Sequence, residues 1–203
     1  MRLYYFCHNI AADTVERVPY KTIEPPFTLK FAEMSKPELR EYYRWFLEMI
    51  PSRVDELAGA VRRTPGFESW AADFTPSSLE ALGNWYATQV ETRPRTGEEI
   101  EVAAKLPFPA SSRERTNRTI SLAMDIGMYL SQVLLRSSPS LKWDQVFRGK
   151  TYIDYGQPVL TGFLDKIPRN PVGPITTLAY CFIDKTRTGK RLREIYDIWS
   201  RCC

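Results

Sequence analysis

The sequence predicts an α+β fold in which amphipathic helices surround a central apolar helix at about residues 119–136. These helices are expected to pack on a small, largely antiparallel sheet. Two observations lead to this fold class: a nearly continuous apolar run over 119–136, and long apolar stripes at helical spacing alongside short alternating segments. The chain has 203 residues, of which 43% are hydrophobic, so it is long enough to bury a sizeable core. We expect residues 1–203 to form a single domain.

The predicted central helix carries one acid, Asp125, in the middle of its apolar run. Helical neighbours three and four positions away place Asp125 on a narrow stripe that is otherwise polar apart from one methionine. The polar members of this stripe are Arg118, Ser121, Gln132 and Arg136. The favoured interpretation is a core helix that shows water one thin face. The alternative is that the stripe lines a pocket.

A second helix is predicted from Ser35, which has the spacing of a capping box with Glu38. Its inward stripe steps by three or four residues and includes Leu39, Tyr43, Phe46, Ile50, Val54, Leu57 and Val61. Because the stripe stays in phase across Pro51, we expect a kink there and not a break. Thr75-Pro76 is expected to open a further helix whose inner face holds Leu79, Leu82 and Tyr86.

Strands are predicted from aromatic or alternating segments at Leu3–Cys7, Phe27–Phe31 and residues 141–148. Gly149-Lys150 is expected to turn the chain into a partner strand at Thr151–Tyr155, and Val159–Phe163 is a possible third strand. Residues 93–115 hold three prolines and mixed charge, which favours a long loop or hinge. Two helices, at Ile175–Asp184 and Lys190–Arg201, are expected to close the chain.

The sequence excludes several kinds of catalytic site. His8 is the one histidine, so a site with several histidine ligands is impossible, and neither HExxH nor GxSxG occurs. The four cysteines form no CxxC pair, which argues against a zinc knuckle or a thioredoxin-like redox site. Gly149-Lys150-Thr151 lacks the upstream glycine of a phosphate-binding loop. We therefore assign no catalytic residue, metal site or cofactor from the sequence.

Charge is unevenly distributed along the chain. Residues 1–100 carry a balance of −3, whereas residues 101–203 carry 16 basic and 9 acidic side chains, a balance of +7. Five cations within nine positions form a candidate anion-binding cluster: Lys185, Arg187, Lys190, Arg191 and Arg193. A solvated charged face is the simpler interpretation, but the cluster leaves nucleic acid open as an alternative partner.

Three segments resemble parts of certain small uncharacterised bacterial proteins. They are YYRWFLEMIPSRVDEL at Tyr42–Leu57, DFTPSSLEALGNWY from Asp73, and MDIGMYLSQVLL from Met124, which is followed by Trp143. The resemblance covers about residues 36–165 and implies a bacterial, cytoplasmic origin. Four unpatterned cysteines favour the same reducing compartment, and no apolar run is long enough for a membrane-spanning helix.

These observations favour a non-enzymatic protein that binds another protein, such as an immunity or accessory factor. Missing catalytic constellations and an aromatic content of 13% support this hypothesis. A nucleic-acid-binding protein and a small-molecule enzyme using Asp125, Asp154 or His8 are the alternatives. If the polar stripe lines a pocket, the candidate pocket residues are Ser121, Asp125, Gln132, Trp143 and Asp154. The oligomeric state is not predicted.

Overall fold

The structure is a computed structural model that describes residues 17–105 and 113–203. These residues form an α+β fold of six helices and two small antiparallel sheets, which confirms the predicted fold class. The predicted strand at Leu3–Cys7 lies outside the described residues. The helices are α1 (Lys36–Arg62), α2 (Ser78–Gln89), α3 (Gly97–Ala103), α4 (Asn117–Ser137), α5 (Val172–Ile183) and α6 (Lys190–Ser200). The strands are β1 (Thr92–Pro94), β2 (Arg113–Arg115), β3 (Lys142–Gln145) and β4 (Pro158–Thr161).

The central helix α4 extends the predicted apolar run by a residue or two at each end. It begins after Thr116, whose side chain accepts a hydrogen bond from the Thr119 amide. It packs against α1, α2, α5 and α6, and most of its side chains are buried. A Cβ atom on Gly127 would lie 2.9 Å from the Pro171 carbonyl oxygen, so the absence of a side chain there lets α5 approach closely.

Helix α1 begins as predicted and continues without a break through Pro51. The Ser35 hydroxyl accepts from the Glu38 amide at 3.4 Å, and the Glu38 carboxylate accepts from the Ser35 amide at 2.7 Å. The predicted stripe is buried with one exception: Tyr42 points into the core, and Tyr43 is half-buried. Thr75 and Pro76 form the turn before α2 and are not part of that helix.

The two sheets are separate two-stranded antiparallel units. Strand β1 pairs with β2, and β3 pairs with β4 so that Trp143 lies opposite Leu160. The predicted partner strand at Thr151–Tyr155 is wrong, because these residues form turns and β4 comes later in the chain. Gly156 ends the turns with a φ of 69° and donates its amide to the Val146 carbonyl at 2.8 Å.

The predicted strand at Phe27–Phe31 is also wrong. Leu29 has a φ of 58°, which interrupts an extended backbone. The alternating aromatic rings pack instead on helix α1, where Phe27 and Phe31 lie 5.5 and 5.1 Å from the Tyr42 ring. Burial on one helix therefore explains the alternation without a partner strand.

The segment 93–115, which was expected to be a long loop or hinge, contains regular structure on both sides of residues 106–112. Strands β1 and β2 pair across it, and α3 lies between them. Thr96 and Glu99 form a reciprocal capping box at the start of α3. Local capping therefore overrides the loop-like composition of this segment.

Helices α5 and α6 close the fold close to their predicted positions. Leu192 and Ile195 of α6 are buried as expected, and Trp199 is half-buried. Helix α6 crosses α2 at a pair of glycines: a Cβ on Gly83 would lie 2.0 Å from the Gly189 carbonyl oxygen. This contact sets the position of the N-terminal end of α6.

Candidate functional site

The acid that stands out in the sequence, Asp125, lies at the centre of a closed ion pair. It is fully buried, and the guanidinium of Arg53 on α1 binds both of its carboxylate oxygens. Arg53 Nε donates to Oδ1 at 2.9 Å, and Nη2 donates to Oδ2 at 2.6 Å. The Tyr20 hydroxyl also donates to Oδ2. Two helices and the segment before α1 therefore meet at one carboxylate.

The segment that covers this ion pair is residues 18–23, here called the strap. It has no helix or strand of its own, and side chains of the neighbouring helices bind its backbone. The Lys21 carbonyl accepts from Arg53 at 2.8 Å, and the Ile23 amide donates to the Ser121 hydroxyl at 2.9 Å. Two further arginines, Arg63 and Arg118, donate to the carbonyls of Pro19 and Val18. The strap thus covers the polar stripe of α4 near Ser121 and Asp125.

Burial dominates the electrostatics of this group. It raises the pKa of the Asp125 carboxyl, against the hydrogen bonds and charge of Arg53 and the hydrogen bond of Tyr20. Burial also raises the pKa of Tyr20, and the nearby Asp125 charge adds to that shift. Burial acts to lower the pKa of Arg53, but the hydrogen bonds and charge of Asp125 outweigh it and the pKa is raised. The arrangement is typical of a structural ion pair whose members satisfy one another.

A cleft of about 580 Å³ lies beside the ion pair, between the strap and α1. Tyr20 and Arg53 line it, together with Trp45 and Met49, but Asp125 does not. The acid on the polar stripe is therefore separated from the cleft by its own partners, and it has no open path to a small molecule bound there.

The five candidate pocket residues do not form one site. Ser121 and Asp125 lie together beneath the strap, whereas Gln132 is half-buried about two turns further along α4. Trp143 packs its ring at 5.6 Å from Phe46.

Asp154, the fifth candidate, has a structural partner of its own. It accepts a hydrogen bond from the Asn170 side chain at 2.9 Å. Asn170 in turn accepts from the amides of Val172 and Gly173 at the start of α5. Asp154 therefore orients Asn170, which precedes the N-cap Pro171 and binds the first two amides of α5.

The remaining chemical features concern His8, metal ions and membranes. His8 lies outside the described residues. Among residues 17–105 and 113–203 no three His, Cys, Asp or Glu side chains are grouped so as to hold a metal ion. No helix in these two ranges is both long and apolar enough to cross a membrane.

The five cations of the predicted anion-binding cluster differ in whether they have acidic partners. Three of its five cations have acidic partners within the fold: Lys190 pairs with Glu80, Arg191 with Glu194, and Arg193 with Asp197. Lys185 and Arg187 are exposed, and no acidic side chain of the described residues pairs with them. Arg187 and Arg191 line a common cleft of about 310 Å³ between α5 and α6.

An exposed group of aliphatic side chains lies at the other end of α6. We call Leu164, Ile167 and Ile198 the apolar patch; they are 74%, 57% and 47% exposed. The Leu164 amide donates to the Cys202 carbonyl at 2.6 Å, which ties the loop after β4 to the end of α6. The same loop holds Arg169, whose guanidinium stacks 4.1 Å from the Phe163 ring centre.

Sequence reasoning missed both the partner of Asp125 and the apolar patch. A signal for the first existed: Arg53 is three residues after Ile50 and four before Leu57, so it shares the inward face of α1. A charge at a core position of one helix and an acid at a core position of another predict a buried pair. No comparable signal marked Leu164, Ile167 and Ile198, which are scattered over 35 positions.

Comparisons with protein families, curated proteins and solved structures find no match to this chain.

Proposed function

We propose that this chain is a non-enzymatic protein that binds another protein through the apolar patch. The observation that carries the proposal is the exposure of Leu164, Ile167 and Ile198 on a loop and a helix end that one backbone hydrogen bond joins. Exposed aliphatic side chains that lie close together are a common mark of protein-binding sites. The hydrogen bond from Leu164 to Cys202 brings the loop of Leu164 and Ile167 to the end of α6 that carries Ile198.

The charges around the patch favour a partner with acidic side chains at the rim of its own apolar surface. Lys166 and Arg201 are exposed beside the patch, and no acidic side chain in the described ranges pairs with either one. Asp165 is already bound by Arg169 at 2.5 Å. The unpaired charge at this edge is therefore positive, and complementary acids on the partner speed its approach and set its orientation.

This reading is favoured over nucleic-acid binding because intramolecular pairing occupies much of the basic cluster. Cations already held by Glu80, Glu194 and Asp197 contribute less to phosphate binding, since each ion pair must be broken or shared. The proposal retains the bacterial, cytoplasmic setting that the resemblance and the cysteine pattern predict.

Affinity purification from cells that naturally express the protein tests the patch directly. The wild-type chain is compared with a Leu164→Gln, Ile198→Gln variant and with a control, Ile153→Gln. Ile153 is 84% exposed but lies in the turns between β3 and β4, outside the patch. We expect the wild type and the control to recover the same partner in stoichiometric amount and the patch variant to lose it.

Stability measurements separate loss of binding from loss of folding. Because the substituted side chains are exposed, each change is expected to alter the free energy of unfolding by less than about 0.5 kcal/mol. A Lys166→Glu, Arg201→Glu variant should weaken recovery of the partner at low salt. Recovery of no stoichiometric partner, or equal recovery by the patch variant, would contradict the proposal.

A further inference from the structure

We propose that the cleft between α5 and α6 binds a small amphipathic organic anion, with its acid group at Arg187 and Arg191 and its apolar body between the helices. This site is separate from the apolar patch and does not depend on the proposed protein partner. Its volume of about 310 Å³ is at the small end of the range for ligand pockets.

The floor of the cleft is apolar. Leu178 of α5 and Ile195 of α6 are almost fully buried, and Pro174 continues the apolar lining toward the first turn of α5. Because Leu178 and Ile195 already expose little surface, the gain on binding comes mainly from the removal of the ligand's own hydrocarbon from water.

The mouth of the cleft is cationic. Arg187 is exposed, and its guanidinium donates to the Thr186 carbonyl at 3.1 Å, with no acidic partner in the described ranges. Arg191 donates to Glu194 at 2.9 Å, and Glu194 does not line the cleft. Arg191 is the second residue of α6, so its guanidinium reaches the cleft from the first turn of that helix.

Together, these features specify the ligand class. A neutral apolar molecule would leave the guanidinium groups unused, and a simple inorganic anion would leave the floor uncovered. A carboxylate with a short aliphatic tail satisfies both parts, because guanidinium groups bind carboxylates through two parallel hydrogen bonds.

The test uses octanoate as the ligand and 8-anilinonaphthalene-1-sulfonate as a fluorescent reporter on the full chain. We expect octanoate to displace part of the bound dye, while acetate and octan-1-ol, which lack either the tail or the charge, displace far less. Arg187→Gln should weaken octanoate binding about tenfold or more, in line with the loss of a charged hydrogen bond. Arg187→Lys should retain part of the affinity.

Two further variants test whether octanoate binds in this cleft. Lys185→Gln removes a neighbouring exposed cation that does not line the cleft, and we expect octanoate binding to stay within about twofold of wild type. Thr177→Trp places a bulky ring in the cleft from an exposed position, and binding should be lost without loss of fold. The Leu164→Gln, Ile198→Gln variant removes any dye bound at the apolar patch and should leave octanoate displacement unchanged.

The proposal is overturned if octanoate displaces no dye, or if octan-1-ol competes as well as octanoate. It is equally overturned if Arg187→Gln and Thr177→Trp bind octanoate with wild-type affinity. These outcomes do not bear on the apolar patch, whose test uses different residues and a macromolecular partner.

Discussion

Two regions of the molecule depart from the rule that charged groups are exposed and apolar groups are buried. The site around Asp125 buries charged groups, and the surface at the end of α6 exposes apolar groups. Around Asp125 charged side chains are buried, and each finds a partner in another part of the chain. At the end of α6 aliphatic side chains are exposed, and the nearby cations Lys166 and Arg201 lack acidic partners within the described residues.

This contrast separates structural from interacting residues. A buried charge that is fully paired can have a purely structural role, because its partners offset the cost of removing it from water. A single exposed aliphatic side chain such as Ile153 is ordinary, whereas several at one end of α6 favour an interaction site. The more conspicuous residue in the sequence, Asp125, is therefore the weaker functional candidate.

The largest expected effect is the loss of the buried ion pair. Asp125→Asn removes the charge that balances Arg53 and should lower the free energy of unfolding by about 3–5 kcal/mol. Chemical denaturation followed by circular dichroism measures this change. Asp55→Asn, an exposed acid on α1, is the matched control and should alter stability by less than about 0.5 kcal/mol.

A double variant tests whether the cost comes from the unpaired charge. Arg53→Met with Asp125→Leu replaces both partners with apolar groups of similar size, and we expect it to be more stable than Asp125→Asn alone. If the losses of unfolding free energy at the two positions simply add in the double variant, Arg53 and Asp125 do not act as a coupled pair.

A smaller effect is expected at the glycine crossing that positions α6 and its surface. Gly83→Ala would bring a Cβ to 2.0 Å from the Gly189 carbonyl oxygen, so the helices must move apart at a cost of about 1–3 kcal/mol. Gly97→Ala, where a Cβ meets no atom within 4 Å, is the control. Equal thermal stability of the two variants would contradict the tight packing of α2 on α6.

The smallest effect concerns an exposed ion pair that behaves oppositely to Asp125. The side-chain hydrogen bond from Arg93 and the Thr96 amide lower the pKa of Glu99 from 4.5 to about 2. A lowered folded-state pKa means that this stabilisation is present above pH 4.5 and is lost as the pH falls toward 2. The stability difference between wild type and Glu99→Gln should therefore shrink over that range. A difference that grows with acidity would contradict the assignment.

Local signals in the sequence predicted the helices well and the strands only in part. The predicted strands at 141–148 and Val159–Phe163 overlap β3 and β4. Ser35 with Glu38 and the apolar stripe of α1 were sufficient to place that helix, because caps and helical periodicity act over three or four residues. Phe27–Phe31 and Thr151–Tyr155 were wrong as strands, since a strand also needs a distant partner that its own pattern does not name. Thr96 with Glu99 was a readable capping box within a segment whose prolines favoured a loop.

The candidate site was predicted only in part. Helical spacing placed Ser121 and Asp125 on one stripe, and this grouping is present beneath the strap. Trp143 and Asp154 were predicted to share a pocket with them, but the structure gives each a different partner. Trp143 packs on Phe46, and Asp154 binds Asn170. The basic cluster stays a prediction as an anion-binding site. The acidic partners of three of its members lie on another helix for Lys190 and one turn away for Arg191 and Arg193.

By itself the sequence determined the α+β class, the central position of α4, the start of α1 and the absence of a multi-histidine site. These properties depend on composition and on neighbours within one or two helical turns. Only the tertiary structure decided that Arg53 neutralises Asp125 while Tyr20 donates a hydrogen bond to it, and that Leu164 and Ile198 both remain exposed. The physical reason is that burial and charge pairing join residues that are distant in sequence, so their outcome depends on how the helices pack.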